Sequence, residues 1–185
     1  HKIPYTVETI QPVGSVSKTL IGAALMKAVE LGFFSLDDDI NELLDFKVDN
    51  PYFPNQPITV RQLATHTSGI IDREKIYQKT YLFGRRTARA SIGDFLRAYL
   101  TKKGKFYSRR NFDRRRPGEA LNYSNLGATL AAYLIEVKSG MVFAEFTKKY
   151  VLQPLGMQNS GWFDNSENAD RVALLYNPYM TAYPV

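Results

Sequence analysis

Apolar residues recur at helical spacing through much of this chain. Over residues 17–32 the apolar positions are Leu20, Ile21, Ala24, Leu25, Ala28, Val29 and Leu31, and Gly32 suits a C-terminal cap. That arc runs round much of the circumference, which predicts a helix buried on several sides. Residues 35–44 predict a second helix, with Asp37, Asp38 and Asp39 near its start, where the helix dipole favours acids. Pro51, Pro54 and Pro57 mark a loop. Thr59-Val60-Arg61-Gln62 then has the form of a capping box and opens a short helix ending near Gly69. Further amphipathic helices are predicted over 91–100, over 125–138 with Ser139-Gly140 as its close, and over 143–151 with Pro154 as its stop. Residues 171–176 are the one fair strand candidate, and residues 1–14, with Pro4 and Pro12, read as irregular. No repeat or low-complexity stretch interrupts the pattern. A helical segment so rich in loops and so poor in sheet is expected to pack against a further element.

Composition narrows the classes. The 185 residues are enough for one domain with a core, and 44% hydrophobic with 23% charged residues argues against disorder and collagen-like structure. No run of about 18 apolar residues occurs, so no membrane-spanning helix is expected. The opening His1-Lys2-Ile3-Pro4 is neither an initiator Met nor a leader, so no signal peptide is visible and the start reads as trimmed. There is no Cys, which removes thiol nucleophiles, disulfides and thiolate metal sites, and two histidines, His1 and His66, make an imidazole zinc site improbable. The net charge of +6 is uneven: residues 85–116 hold 12 of the 24 Lys and Arg against two acids, Asp94 and Asp113. No motif aims that cluster into a groove, so a solvated loop and helix face is expected rather than a nucleic-acid patch. For the same reason of local chemistry, Asp37–Asp39 reads as a helix-terminal charge cluster rather than a metal site.

Two short motifs carry the chemistry. Ser15-Val16-Ser17-Lys18 places a hydroxyl and an amine three residues apart at the mouth of the first helix, on one face. A serine hydroxyl is a poor nucleophile until a base takes its proton. Lysine serves as that base only when neutral, which requires its pKa of about 10.4 to fall by roughly three units, on the order of 4 kcal/mol. Burial beside an apolar helix acts in that direction, and the helix N-terminus favours a developing oxyanion. Alone, Ser-x-x-Lys is a weak signal, better read as a capping serine and a solvated lysine. The second motif is Tyr123-Ser124-Asn125 just before a helix. A phenol near the serine–lysine pair can relay a proton, and an Asn amide can hold a substrate carbonyl. A turn-anchoring tyrosine and a helix-capping Asn would look the same.

In combination these residues are more specific. Gly14-Ser15-Val16-Ser17-Lys18-Thr19 with its following helix resembles the nucleophile motif of class C β-lactamases, penicillin-binding D-alanyl-D-alanine carboxypeptidases and related esterases. The segment 117–125, Pro-Gly-Glu-Ala-Leu-Asn-Tyr-Ser-Asn, is similar to that family's second motif and its lead-in. Leu63-Ala64-Thr65-His66-Thr67-Ser68-Gly69 and Pro154-Leu155-Gly156-Met157 resemble two further family segments, in the right order. The resemblance implies that Ser15 attacks a carbonyl and is acylated, that Lys18 and Tyr123 move protons, that Asn125 contacts the substrate amide, and that the Ser15 backbone N–H is half of an oxyanion hole. It implies no cofactor and no metal.

The chain also departs from the family pattern. Nothing after Asn125 matches the third motif, Lys-Thr-Gly or His-x-Gly, and the strands that open and close the family's sheet have no counterpart. The expected architecture is therefore α+β, a β-lactamase/transpeptidase-like fold represented mainly by its helical domain and nucleophile helix, with most of the antiparallel sheet absent. A trimmed chain, residues left out, and a degenerate relative all fit that pattern. His66 is assigned a structural role: no Gly-x-Ser-x-Gly elbow is present, and a Ser-His-Asp triad would leave Lys18 idle. The function expected is a serine hydrolase acting through an acyl-enzyme on an amide or ester, whether β-lactam, D-Ala-D-Ala peptide or small ester. The alternative is an inactive relative or fragment acting as a binding module. The partner expected is a small-molecule or peptide substrate, not nucleic acid, and the resemblance implies a periplasmic or extracellular setting.

Overall fold

The structure is a computed structural model that describes residues 4–77, 91–162 and 173. A 3-10 turn, Gly14–Ser17, runs straight into α1, Lys18–Glu30. Two short helices follow, α2 at Ile40–Leu43 and α3 at Val60–Ala64, and then α4 at Glu74–Tyr77. The larger helices are α5, Ile92–Leu100, and α6, Asn125–Ser139. The last is α7, Phe143–Thr147, which continues as a π-turn over Lys148–Leu152. No strand forms among the described residues, which carry two isolated antiparallel bridges, Asp39 with Thr59 and Ile70 with Phe112. The strand candidate over 171–176 lies outside them except for Ala173, whose N–H donates to the Ile10 carbonyl at 2.7 Å. Among the described residues no single helix is long and apolar enough to cross a membrane.

Helix α6 is the hub, touching α1, α2, α3, α5 and α7. Its Leu130, Leu134 and Ile135 are fully buried, together with Leu25 of α1, Leu63 of α3, Leu96 and Tyr99 of α5 and Phe146 of α7. Each such side chain contributes about 1.5–3 kcal/mol by leaving water. The predicted caps form as the sequence suggests. Thr59 and Gln62 make a reciprocal capping box, Ser91 accepts from the Asp94 N–H, and Gly140 closes α6 in the left-handed conformation at φ 68°.

Three predicted segments differ in shape. The helix expected over 35–44 shrinks to α2 because the carbonyls of Leu36 and Asp38 accept from Arg61 and Val60, and the Ser35 N–H bonds the Asp38 side chain. Each of the three aspartates has its own protein partner: Asp37 pairs with Arg61, Asp38 takes Ser35, and Asp39 caps α2 through the Asn41 N–H. The 143–151 helix loosens after Thr147, whose hydroxyl bonds the carbonyls of Phe143 and Ala144 at 2.9 and 3.0 Å and competes with the regular ladder. Helix α1 buries one face, Ala24, Leu25 and Ala28, while Met26 on the other side is 51% exposed, because the described elements pack on it from one side.

The basic segment divides in two. Arg85, Arg86 and Arg89 lie outside the described residues. Of the rest, Arg97 pairs with Asp45 at 2.7 Å and Arg115 with Asp113 at 2.6 Å, while Arg109 and Arg114 lie over the Tyr52 ring and Arg116 over Phe53.

Candidate active site

The 3-10 turn before α1 decides how Ser15 and Lys18 meet. Gly14 opens it at φ 53°, a conformation that costs glycine least. With three residues per turn, side chains three apart eclipse. Ser15 and Lys18 therefore stand one above the other, and Lys18 Nζ lies 3.1 Å from Ser15 Oγ. Ser15 is thus on the 3-10 turn, just ahead of the α-helix proper, and it is exposed. Lys18 is half-buried.

Tyr123 arrives from 108 residues away, and its hydroxyl donates to Ser15 Oγ at 3.0 Å. Lys18 Nζ also sits 5.1 Å from the centre of the Tyr123 ring. One serine oxygen is thus held by an amine and a phenol at once. The phenol lies below its ordinary pKa, pulled down mainly by the neighbouring Lys18 amine and then by the Ser15 hydroxyl. The Tyr123 ring is 48% exposed, so the group is open to an incoming molecule.

The third predicted contributor, Asn125, opens α6. Its N–H donates to Asp72 at 2.6 Å and its carbonyl accepts from the Thr129 hydroxyl at 2.9 Å. Among the described residues its hydrogen bonds are all main-chain ones, and its side-chain amide remains available. Ser124, not Asn125, is the capping side chain: its hydroxyl accepts from the Gly127 N–H at 2.9 Å.

His66 supports the site from behind. It is the one non-glycine among the described residues with positive φ, 56°, and such strain clusters where geometry matters. Its Nδ1 accepts from the Ser124 N–H at 3.2 Å, its carbonyl from the Asn122 N–H at 2.7 Å, and its ring lies 4.6 Å from the Tyr123 ring. An Nδ1 that accepts is unprotonated. Burial, then the charge of Lys18, lowers the His66 pKa and keeps it so, with Asp72 acting the other way. This is a positioning arrangement and not that of a triad base, since Ser15 is bonded by Lys18 and Tyr123.

Sequence reasoning missed Asp72. It lies half-buried six residues beyond His66, and its carboxylate accepts from the Ser124 hydroxyl at 2.7 Å, the Asn125 N–H and the Leu126 N–H at 3.0 Å. An acid one turn past His-Thr-Ser-Gly is the only local signal. Its partners lie more than fifty residues downstream.

A family model described as Beta-lactamase matches residues 1–185. The chain is 26% identical over 172 residues to penicillin-binding protein 4* of Bacillus subtilis, covering 93% of this chain and 35% of that protein. Among solved structures, the penicillin binding protein from Bacillus halodurans superposes with a TM-score of 0.72 at 27% identity, covering 98% of this chain and 52% of that one. EstCE1, a hydrolase with promiscuous acyltransferase activity, gives 0.72 at 25% identity over 100% of this chain and 47% of its own. The fold is the β-lactamase/transpeptidase fold, represented among the described residues by its helical part. The chain spans about a third of the length of the curated relatives it matches, 35% and 36% of the first two.

Proposed function

Since the chain belongs to the Beta-lactamase family, we propose that it carries the nucleophile of a serine hydrolase that works through an acyl-enzyme. The observation that supports this most is the convergence of Lys18 Nζ, 3.1 Å, and Tyr123 Oη, 3.0 Å, on Ser15 Oγ. In its neutral form Lys18 accepts the Ser15 proton across that same contact. Ser15 Oγ then bonds the substrate carbonyl carbon, and the C–N or C–O bond to the leaving group breaks. Tyr123, whose phenol is the easier to ionise for its neighbours, passes the proton on to the leaving amine or alcohol. In a second step water attacks the acyl carbon and gives a proton to the same pair, which passes it to Ser15 Oγ as the Oγ–acyl bond breaks and the acid leaves. The Asn125 amide holds the substrate carbonyl. The substrate class is an amide or ester, β-lactam, D-Ala-D-Ala peptide or small ester, in keeping with family membership, and the setting proposed is outside the cytoplasm.

The alternative reading is a non-catalytic binding module on the same fold. Treating the folded protein with a fluorescent penicillin and locating the adduct by mass spectrometry separates the two. A covalent adduct on Ser15, lost in Ser15→Ala, is expected. Neither an adduct nor hydrolysis of short acyl esters by the folded protein would leave the binding module standing.

A further inference from the structure

The first turn of α6 exposes four main-chain N–H groups, those of Ser124, Asn125, Leu126 and Gly127, and every one is satisfied from the 66–72 loop or through it. His66 Nδ1 takes Ser124; Asp72 Oδ2 takes Asn125; Asp72 Oδ1 takes Leu126 at 3.0 Å; and the Ser124 hydroxyl takes Gly127 while donating to Asp72 Oδ1. Asp72 thus bonds three consecutive residues, 124–126, directly. These residues include Asn125 and adjoin Tyr123. The loop is in turn held on both edges, by Gly118 N–H to the Thr67 carbonyl at 2.8 Å and Asp113 N–H to the Gly69 carbonyl at 2.8 Å. The main chain on either side of Asp72 is fastened by one hydroxyl: Tyr99 Oη accepts from the Arg73 N–H at 2.9 Å and donates to the Ile71 carbonyl at 2.7 Å.

We propose that Asp72 is a positioning residue for the reaction, a carboxylate that sets the rotation of the first turn of α6 and so keeps the Tyr123 hydroxyl on Ser15 and fixes the main chain that bears Asn125. This rests on the proposed hydrolase reading. Asp72 touches neither Ser15 nor Lys18, so it acts through Tyr123 and Asn125. A helix rotates as a unit about its axis, and releasing the carboxylate's bonds to Ser124, Asn125 and Leu126 frees the turn that carries both groups. Displacement of a reacting group by about 1 Å can cost about 10²-fold in rate. The carboxylate has an electrical effect as well. Tyr123 is faced by Lys18 from α1 and by His66 and Asp72 from the loop; Lys18 favours the phenolate, and Asp72 opposes it. Asp72 therefore keeps the phenol more often protonated than Lys18 alone would.

The test compares Asp72→Asn, which keeps the size and removes the charge, Asp72→Glu, which keeps the charge and moves it, and Ser124→Ala, which removes the capping hydroxyl alone. For each folded variant two readouts are taken: the rate of acylation by fluorescent penicillin against pH, and the ionisation of Tyr123 followed by ultraviolet difference titration against Tyr123→Phe. Asp72→Asn is expected to slow acylation at least tenfold with little change in the concentration needed for half-saturation, and to move Tyr123 ionisation to lower pH. Asp72→Glu is expected to slow acylation without moving the titration. Ser124→Ala is expected to lower stability and leave the titration in place. Unchanged acylation per folded molecule and an unmoved titration in Asp72→Asn would reduce Asp72 to a helix cap and overturn the proposal. If Asp72→Asn does not fold, an Asp72→Glu variant that acylates at the parent rate overturns it. Should the parent protein neither take the penicillin nor hydrolyse short acyl esters, the hydrolase reading fails. The titration then decides the inference alone: a downward move upholds the coupling of Asp72 to Tyr123, and an unmoved one overturns it.

Discussion

Tyr99→Phe removes one oxygen from a fully buried ring and orphans two main-chain groups, the Arg73 N–H and the Ile71 carbonyl. A net hydrogen bond is worth about 1 kcal/mol, and a fully buried group left unpaired costs about 1–3 kcal/mol. Residues 71 and 73 are half-buried, so water can partly replace the hydroxyl. The expected loss is about 2 kcal/mol, near the middle of that range. Urea unfolding should show a lower midpoint with an unchanged slope, because no area is gained or lost. At about 2.1 cal/mol/K per residue the unfolding entropy of a chain this size is roughly 0.4 kcal/mol/K, so the melting temperature should fall by about 5 °C. A second signature comes from ionisation. Burial is the main cause that pushes the Tyr99 phenol up to about 12. A raised pKa holds the proton in the folded state after the unfolded chain has lost it. This contribution is complete below about pH 10 and is lost as pH rises towards about 12. Tyr107 and Tyr133 are also raised by burial, so the difference between the parent and variant curves is the quantity to read. The variant should lose less stability than the parent over that alkaline window. A folded Tyr99→Phe within about 0.5 kcal/mol of the parent, with a superimposable alkaline limb, would refute the view that this hydroxyl fastens the loop bearing Asp72.

Two further outcomes follow from the packing and the charges. A Cβ on Gly93 would lie 2.7 Å from the Tyr133 ring, which stacks on Phe46, so Gly93→Ala should destabilise despite a gain in helix propensity of about 1 kcal/mol; in a Tyr133→Ala background the same change should stabilise, and a double-mutant cycle by urea unfolding reads the reversal. The Asp113 carboxyl is held down to about 2, first by its hydrogen bond from Arg115; a lowered pKa gives stability that is present above about 4 and lost as pH falls through about 2, so Asp113→Asn should flatten the acid limb of stability measured between pH 5 and 2.

What the amino-acid order determined by itself is local. The capping box of Thr59 and Gln62, the caps at Ser91 and Gly140, and the approach of Lys18 to Ser15 all join residues within four positions of each other, so backbone geometry alone brings them together. The helical periodicity of α5 and α6 was legible for the same reason. The helix expected over 35–44 was not, because its carbonyls are taken by residues 60 and 61, a competition that periodicity does not register. Motif order suggested that Tyr123 and Asn125 belong with Ser15, but the meeting of Tyr123 with Ser15 depends on α6 packing against α1 and on a loop from 66 to 72 satisfying the first turn of α6. The role of Asp72 was not legible in the sequence because a carboxylate's partners are chosen in space, across 52 to 54 residues of chain. Hydrogen bonds that close over one turn are written in neighbouring residues; those that aim the phenol at the serine exist only once the core has folded and removed the alternatives offered by water.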